Sequence, residues 1–462
     1  MLANLLALPS VVILTSLFLL VPSPLGVRWV VAQQYQGEEI PNDLPPIEQA
    51  ELTYFRIKNP KYDPYNSSTG EEYYSATNYA NLRKDNQRHD PSDIRRAVIV
   101  VHGKHRDPET YETNMLNALS LVDDSLNITT DNVAVVSPLF ANGHDRHRAY
   151  PWSHRQSPSP ALVWYGSEWS AGANTNWPVN SSISSYEVLD QLVTYFDNTT
   201  LFPSLTQIVV AGHSLGAQAV QRYAALTTLQ TIRPLTLWVA NPNSYIWFSD
   251  TRPLPTAHCP YYNDYRAGYA NFEAYPMTYG SALVAQGVDA IYANYKSKAI
   301  AYGRATRDFG DKSSSCAART SGENRGERFH NFIAAFPPAC SHAKNGTATP
   351  HNSSTTDVPN DCDTIDLVQT GHNARKMMAS DAGRQRLFVD NWNGEGDRAF
   401  DLGYPRVVPG GGDDPFPDPE GRAEAAELGR IAREKGRERE VRIGGNVAGG
   451  WFGWLGGLLG GV

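Results

Sequence analysis

Gln207-Ile208-Val209-Val210-Ala211-Gly212-His213-Ser214-Leu215-Gly216-Ala217-Gln218 carries the strongest structural signal in this chain. Gln207 to Ala211 is a short β-branched run, as expected of a strand buried on both faces. Leu215 to Leu226 has the small-residue pattern of a helix packed closely on a sheet. Between them lies Gly-x-Ser-x-Gly, at Gly212, Ser214 and Gly216. A chain turning that sharply from strand to helix holds its serine in a strained conformation with the hydroxyl exposed. Glycines two before and two after remove side chains that would clash. The helix N-terminus then favours a developing oxyanion. Ser214 is therefore the candidate nucleophile and the Leu215 N–H a candidate oxyanion donor. The competing reading, a glycine-rich turn with a bystander serine, lacks a reason for the strand before and the helix after.

Upstream, Ala97 to Val101 (AVIVV) is another strand pattern, and it runs directly into His102-Gly103-Lys104-His105-Arg106-Asp107. A His-Gly pair after an early strand is the expected source of the second oxyanion donor. The N–H of Gly103 or that of Lys104 can serve, and the residues leave the choice open. His102/His105 and His144/His147 also have HxxH spacing. No carboxylate-histidine set completes a metal site at helical spacing, so neither a metal nor another cofactor is expected.

Downstream, Thr364 to Gln369 reads as a late strand and leads into Thr370-Gly371-His372-Asn373. A base is expected in such a loop, in the chain order serine, acid, histidine. His372 is the candidate; His342 and His351 sit in Ser/Thr/Asn/Pro surroundings. The acid should follow the preceding strand. Asp308, after the strand candidate Ala299 to Tyr302, is the first choice, Asp311 the second, and Asp250, after Leu235 to Ala240, the third.

Strands and helices alternate around these motifs. Val133 to Val136 is a further strand, and Ser184 to Phe196 a helix whose Ser184 and Glu187 form a capping-box pattern. Ala374 to Phe388 reads as one closing helix. Apolar, non-alternating strands separated by helices predict an α/β fold, a mostly parallel sheet flanked by helices, with ligands outside the carboxyl ends of the strands. The expected organisation is a signal peptide over 1–32, an arm packed on the core over 33–90 and the α/β domain over 91–395. A Tyr/Phe-rich insertion at about 259–298 is expected to be a cap or pocket wall. Residues 396–462 read as a linker, a charged helix and an apolar, half-glycine tail (Val447 to Val462), a candidate for peripheral membrane contact.

The chain has 462 residues, is 41% hydrophobic and 19% charged, and carries a net charge of -8. That composition can bury a large core, and the absence of a long basic run argues against a nucleic-acid partner. Residues 2–21 are almost wholly apolar, and cleavage after Ala32 suits signal peptidase; a signal anchor is the alternative. Either way the rest enters the secretory pathway. Asn-x-Ser/Thr sequons at Asn66, Asn127, Asn180, Asn198, Asn345 and Asn352 fit a glycosylated extracellular protein. Cys259, Cys316, Cys340 and Cys362 lack CxxC spacing and read as two disulfides, with three pairings open.

Several segments resemble secreted fungal α/β-hydrolases of the lipase/esterase-like superfamily: VIVVHGKHRDP (98–108), LVWYGSEW (162–169), SSYEVLDQLV (184–193), VVAGHSLGAQ (209–218), VANPNSY (239–245) and TGHNARKMMASDAGR (370–384). The resemblance spans about 97–390. It implies the α/β-hydrolase fold, Ser214 as nucleophile, His372 as base, and an aspartate after the seventh strand, where Asp308 fits best. The segment around 303–315 departs most from the expected pattern, and the chain beyond 400 lies outside it.

Three functions fit these residues. The first is a serine hydrolase of small-molecule or lipid carboxylic esters working through an acyl-enzyme. The second is a peptidase or amidase on the same triad. The third is a catalytically silent fold used for binding. The GHSLG form favours ester cleavage by analogy, and retention of serine, histidine and both oxyanion elements argues against a silent fold. The aromatic segment and Trp164, Trp169 and Trp177 are candidates either for an acyl pocket or for core packing.

Overall fold

The β-branched runs form the middle of a nine-stranded sheet in a computed structural model, which describes residues 44–58, 73–145, 161–178, 181–310, 315–338, 357–359, 363–394, 397–399 and 406–411. Its strands are β1 (Ala50–Lys58), β2 (Tyr73–Asn81), β3 (Arg96–Val101), β4 (Val133–Pro138), β5 (Gln207–His213), β6 (Leu235–Ala240), β7 (Ala299–Ala305), β8 (Thr364–Gln369) and β9 (Arg406–Pro409). Their order across the sheet is β1-β2-β4-β3-β5-β6-β7-β8-β9. β2 runs antiparallel to both neighbours, and every pair from β4 to β9 is parallel. With a strand-to-helix elbow after β5, this is the α/β-hydrolase fold.

Every residue of β3, β4, β5 and β7 is buried, which explains their unbroken apolar character. Alternate side chains feed two cores. Ala97, Ile99 and Val101 point into one, with α2 (Ser185–Phe196) and α3 (Leu215–Leu226). Val98 and Val100 point into the other, with α1 (Pro108–Leu119). Ser184 caps α2 as its sequence predicts: its Oγ accepts from the Tyr186 N–H at 3.1 Å, and Glu187 Oε2 accepts from the Ser184 N–H at 2.7 Å.

β3 lies between β4 and β5, so the chain leaves β3 to one side and later returns to the other. The carboxyl ends of β3 and β5 therefore flank the crevice where such sheets take ligands. Gly103 and Ser214 follow those two ends.

The structure differs from the sequence reading in three places. The expected arm contains the β1–β2 hairpin, which extends the sheet; buried polar residues such as Thr53, Thr77, Asn78 and Asn81 conceal these strands in the sequence. The closing helix is not continuous. α6 (Ala374–Ala379) stops at Ser380, whose extended backbone and Oγ, accepting from the Gly383 N–H at 3.0 Å, start a new turn at Asp381–Arg384. Gln385–Val389 is a π-helical turn, and it buries Arg386 between Asp366 (2.9 Å) and Asp390 (3.0 Å).

The aromatic insertion does lie between β6 and β7, but Tyr265, Tyr269, Phe272 and Tyr295 from it join the core, while Tyr261 is exposed. Phe248 packs on Tyr295, in α4 (Val288–Lys296), at 4.8 Å and Tyr265 on Tyr275 at 4.9 Å. Two of its tyrosine hydroxyls are tied down, Tyr265 to the Ala171 carbonyl at 2.7 Å and Tyr279 to Asp190 at 2.8 Å. A buried hydroxyl holds its ring only where it finds such a partner. Trp164 and Trp169 are likewise buried core. A disulfide joins Cys259 to Cys316, beyond β7; Cys340 and Cys362 lie outside the described residues.

Candidate active site

The elbow is strained. Ser214 has φ 60° and ψ -119°, a conformation costly for any residue but glycine and held only by its surroundings. Those surroundings need two glycines. A Cβ on Gly212 would run into the Gly216 backbone, and one on Gly216 into the Val101 carbonyl oxygen. Close packing of β3, β5 and α3 thus fixes the serine at the N-terminus of α3.

His372 follows β8, in a short loop closed by Asn373, whose side chain caps α6. Its Nε2 lies 2.9 Å from Ser214 Oγ, and its Nδ1 lies 2.6 Å from Asp308 Oδ2. A carboxylate only accepts, so Nδ1 carries the proton and the Nε2 lone pair faces the serine hydroxyl. Asp308 follows β7, and its N–H donates to the Ala305 carbonyl at 3.0 Å. Asp250, the third-choice acid, is exposed on the surface, and Asp311 lies outside the described residues.

A further residue holds this acid. Arg325, the first residue of α5 (Arg325–Ala335), donates from Nη1 to Asp308 Oδ1 at 2.8 Å. Asp308 is almost fully buried between the arginine and the histidine. Burial alone pushes its carboxyl up; the His372 hydrogen bond and charge, with Arg325, outweigh that and hold it below the ordinary aspartate range. Sequence reading passed over Arg325. The available signal was the Asn324…Glu327 capping pattern, which predicts a helix start without saying what the arginine meets.

Beneath His372 lies His213, ring to ring at 4.6 Å. The Ala305 N–H donates to Asn241 Oδ1 at 2.6 Å, which turns Asn241 Nδ2 towards His213 Nε2 at 3.2 Å. His213 Nε2 is therefore an acceptor. Burial, with repulsion from His372, lowers this imidazole to about 3. His372 thus rests on a neutral ring.

The loop after β3 is fixed from three sides. His102 is fully buried, and burial lowers it to about 4. Its Nε2 accepts from the Phe140 N–H at 2.9 Å, so its Nδ1–H donates to the Gly103 carbonyl at 2.9 Å. The Arg106 N–H donates to the same carbonyl at 3.2 Å, and the Arg106 side chain pairs with Asp145 at 2.6 Å. The Tyr111 hydroxyl lies over Gly103, where a Cβ would meet it at 2.6 Å, and donates to the His213 carbonyl at 3.4 Å. The Gly103 N–H faces that hydroxyl. A trans peptide directs its C=O and its N–H oppositely, so fixing the Gly103 carbonyl also fixes the Lys104 N–H.

These residues border an open cleft of about 530 Å³, whose walls include Ser214, Leu215, Gly103, Lys104 and His372. No residue of the 259–298 insertion lines it. Among the described residues no cluster of three or more histidine, cysteine or acidic side chains could hold a metal ion. His102 and His105 are split between core and surface, and His147 lies outside the described residues.

No family model and no curated protein matches the sequence. Among solved structures the chain is similar to a poly(3-hydroxybutyrate) depolymerase from Bordetella parapertussis, at 16% identity and TM-score 0.44, over 82% of this chain and 93% of that one. It is also similar to poly(aspartic acid) hydrolase-1 from Sphingomonas sp. KT-1, at 13% identity and TM-score 0.40, over 71% of this chain and 95% of that one. A siderophore hydrolase from Aspergillus nidulans is similar at 10% identity and TM-score 0.34, over 72% of this chain and 94% of that one. The fold assignment stands on strand order and elbow, not on these likenesses.

Proposed function

We propose that this chain is a serine hydrolase that cleaves carboxylic esters through an acyl-enzyme. The observation that carries the reading is the continuous hydrogen-bonded line from Ser214 Oγ through His372 to Asp308, opening on a cleft. Ser214 Oγ attacks the ester carbonyl carbon while His372 Nε2 takes the hydroxyl proton. The carbonyl oxygen becomes an oxyanion, received by the N–H groups of Leu215 and Lys104. Asp308 stabilises the imidazolium. His372 then gives its proton to the departing alkoxide oxygen as the carbon–oxygen bond breaks. Water attacks the acyl-serine, His372 takes its proton, and collapse releases the acid and returns the proton to Ser214.

The place of action is the extracellular space. The apolar N-terminus, the sequons and the Cys259–Cys316 disulfide support this. Asn127 and Asn198 are exposed, as glycan acceptors must be; Asn66, Asn180, Asn345 and Asn352 lie outside the described residues, as do the leader and the apolar tail. Among the described residues no helix is long and apolar enough to cross a membrane.

Ester and amide cleavage are separated by offering 4-nitrophenyl acetate and acetyl 4-nitroanilide to the full chain. Turnover of the ester, abolished in His372→Ala, is expected. Faster turnover of the anilide would replace the esterase reading with an amidase one.

A further inference from the structure

We propose that the cleft selects esters bearing a carboxylate; this rests on the hydrolase reading and names the substrate class of the same site. The described charged residues that line the cleft are Lys104, Arg325 and Arg375 against Asp107 alone, although the whole chain carries a net charge of -8. A cationic cleft in an acidic molecule is a local reversal of field, and it draws anions towards the site while the rest of the surface repels them.

The three cations differ in what they can do. Arg325 faces Asp308 at 2.8 Å, so its charge is matched by the triad acid. Lys104 and Arg375 are exposed on the cleft wall, one on the oxyanion loop and the other three residues past His372. Arg375 Nε donates to Asn117 Oδ1 at 3.2 Å, which steadies the guanidinium against α1. A guanidinium held this way keeps a fork suited to two carboxylate oxygens.

The remaining wall offers hydrogen bonds beside its apolar area. Asn114, Gln218, Asn243 and Asn373 contribute amides, and Leu215 and Ala374 are the aliphatic residues among those described. An anionic ester matches the charge and finds hydrogen-bond partners among these amides.

The test compares two matched pairs on the full chain: mono-4-nitrophenyl succinate with 4-nitrophenyl butyrate, and 4-acetoxybenzoate with its methyl ester. The first pair puts the carboxylate on the acyl side and the second on the leaving-group side. The expected result is a kcat/KM preference of about tenfold for the anionic member of at least one pair at low salt. That preference should shrink towards unity in about 0.5 M salt, where screening reaches only a few ångströms. Arg375→Gln should lower the ratio several-fold, and Arg375→Lys should retain part of it. Equal or greater rates for the neutral members of both pairs, or a preference indifferent to salt and to Arg375, would overturn the inference. Fluorophosphonate labelling of Ser214 separates the two failures. A labelled protein that prefers neutral esters loses only this inference, whereas an unlabelled one loses the hydrolase reading as well.

Discussion

Two of the hollows among the described residues invite comparison, one of about 520 Å³ beside the β1–β2 hairpin and one of about 530 Å³ at the ends of β3 and β5. The first is walled by Phe55, Ile94, Leu192, Tyr195, Phe196 and Phe202, with Arg88 and Glu51 paired at 2.7 Å on its margin. By shape and apolarity it is the better pocket for a greasy ligand. Yet it holds no nucleophile beside a base. The second gathers a strained serine, two positioned histidines, a buried aspartate and the N-termini of α1, α3 and α5. The difference lies in chain direction. Parallel strands bring loop after loop to one end of the sheet, so residues more than a hundred positions apart converge there. The hollow beside the hairpin sits against strand middles and the end of α2, where packing is the only demand.

Substitutions can break or sharpen this contrast. Ser214→Ala should cost about 10,000-fold or more in kcat/KM with an unchanged circular dichroism spectrum, because the acyl-enzyme cannot form. Asp308→Asn should cost about 1,000-fold or more by mis-setting the His372 tautomer, while Asp250→Asn changes nothing measurable. Arg325→Gln should cost about tenfold, the worth of one charge-assisted hydrogen bond, and should also move the pH profile.

The sign of that movement follows from Asp308. Its carboxyl is held below the ordinary range, so its ionised form and the stability linked to it persist above that range and are lost as pH falls through the lowered value. Without Arg325 the carboxyl rises, and the acid limb of the rate profile shifts to higher pH. An acid limb that stays in place would show that Arg325 only packs.

Smaller again, Tyr111→Phe should slow turnover several-fold, about the worth of one neutral hydrogen bond, by loosening Gly103 and the Lys104 N–H. At the other hollow, Phe196→Ala should lower stability by about 3 kcal/mol, read from denaturant midpoints, yet leave kcat/KM of the folded fraction within about twofold. A large loss of activity there would erase the contrast between the two regions.

Local rules made part of this legible. Gly212, Ser214 and Gly216 announce a turn within five residues, and the helix after it begins where the sequence places it, at Leu215. His372 stands in a short strand-to-helix loop and could be named from order alone. The acid could not be settled so. Asp308, Asp311 and Asp250 all follow strand patterns, and only the pairing of β7 with β8 sets Asp308 beside His372. Tyr111 had no local signature and the capping pattern at Arg325 marks only a helix start, since each matters through a partner outside its own element. α1 went unread because its Pro-Glu-Thr-Tyr-Glu-Thr start lacks a clean apolar stripe, although Tyr111 and Met115 are buried. The insertion's aromatics are equally suited to a lid or a core, and the tyrosine hydroxyl partners that distinguish the two appear only in three dimensions.

The most direct test is to treat the full chain with a fluorophosphonate probe and map the adduct by mass spectrometry, in wild type, His372→Ala and Asp308→Asn. Labelling at Ser214 in wild type, lost in the first variant and strongly slowed in the second, is the predicted result. Folded wild-type protein that takes no label at Ser214, or labels equally fast without His372, would contradict the account.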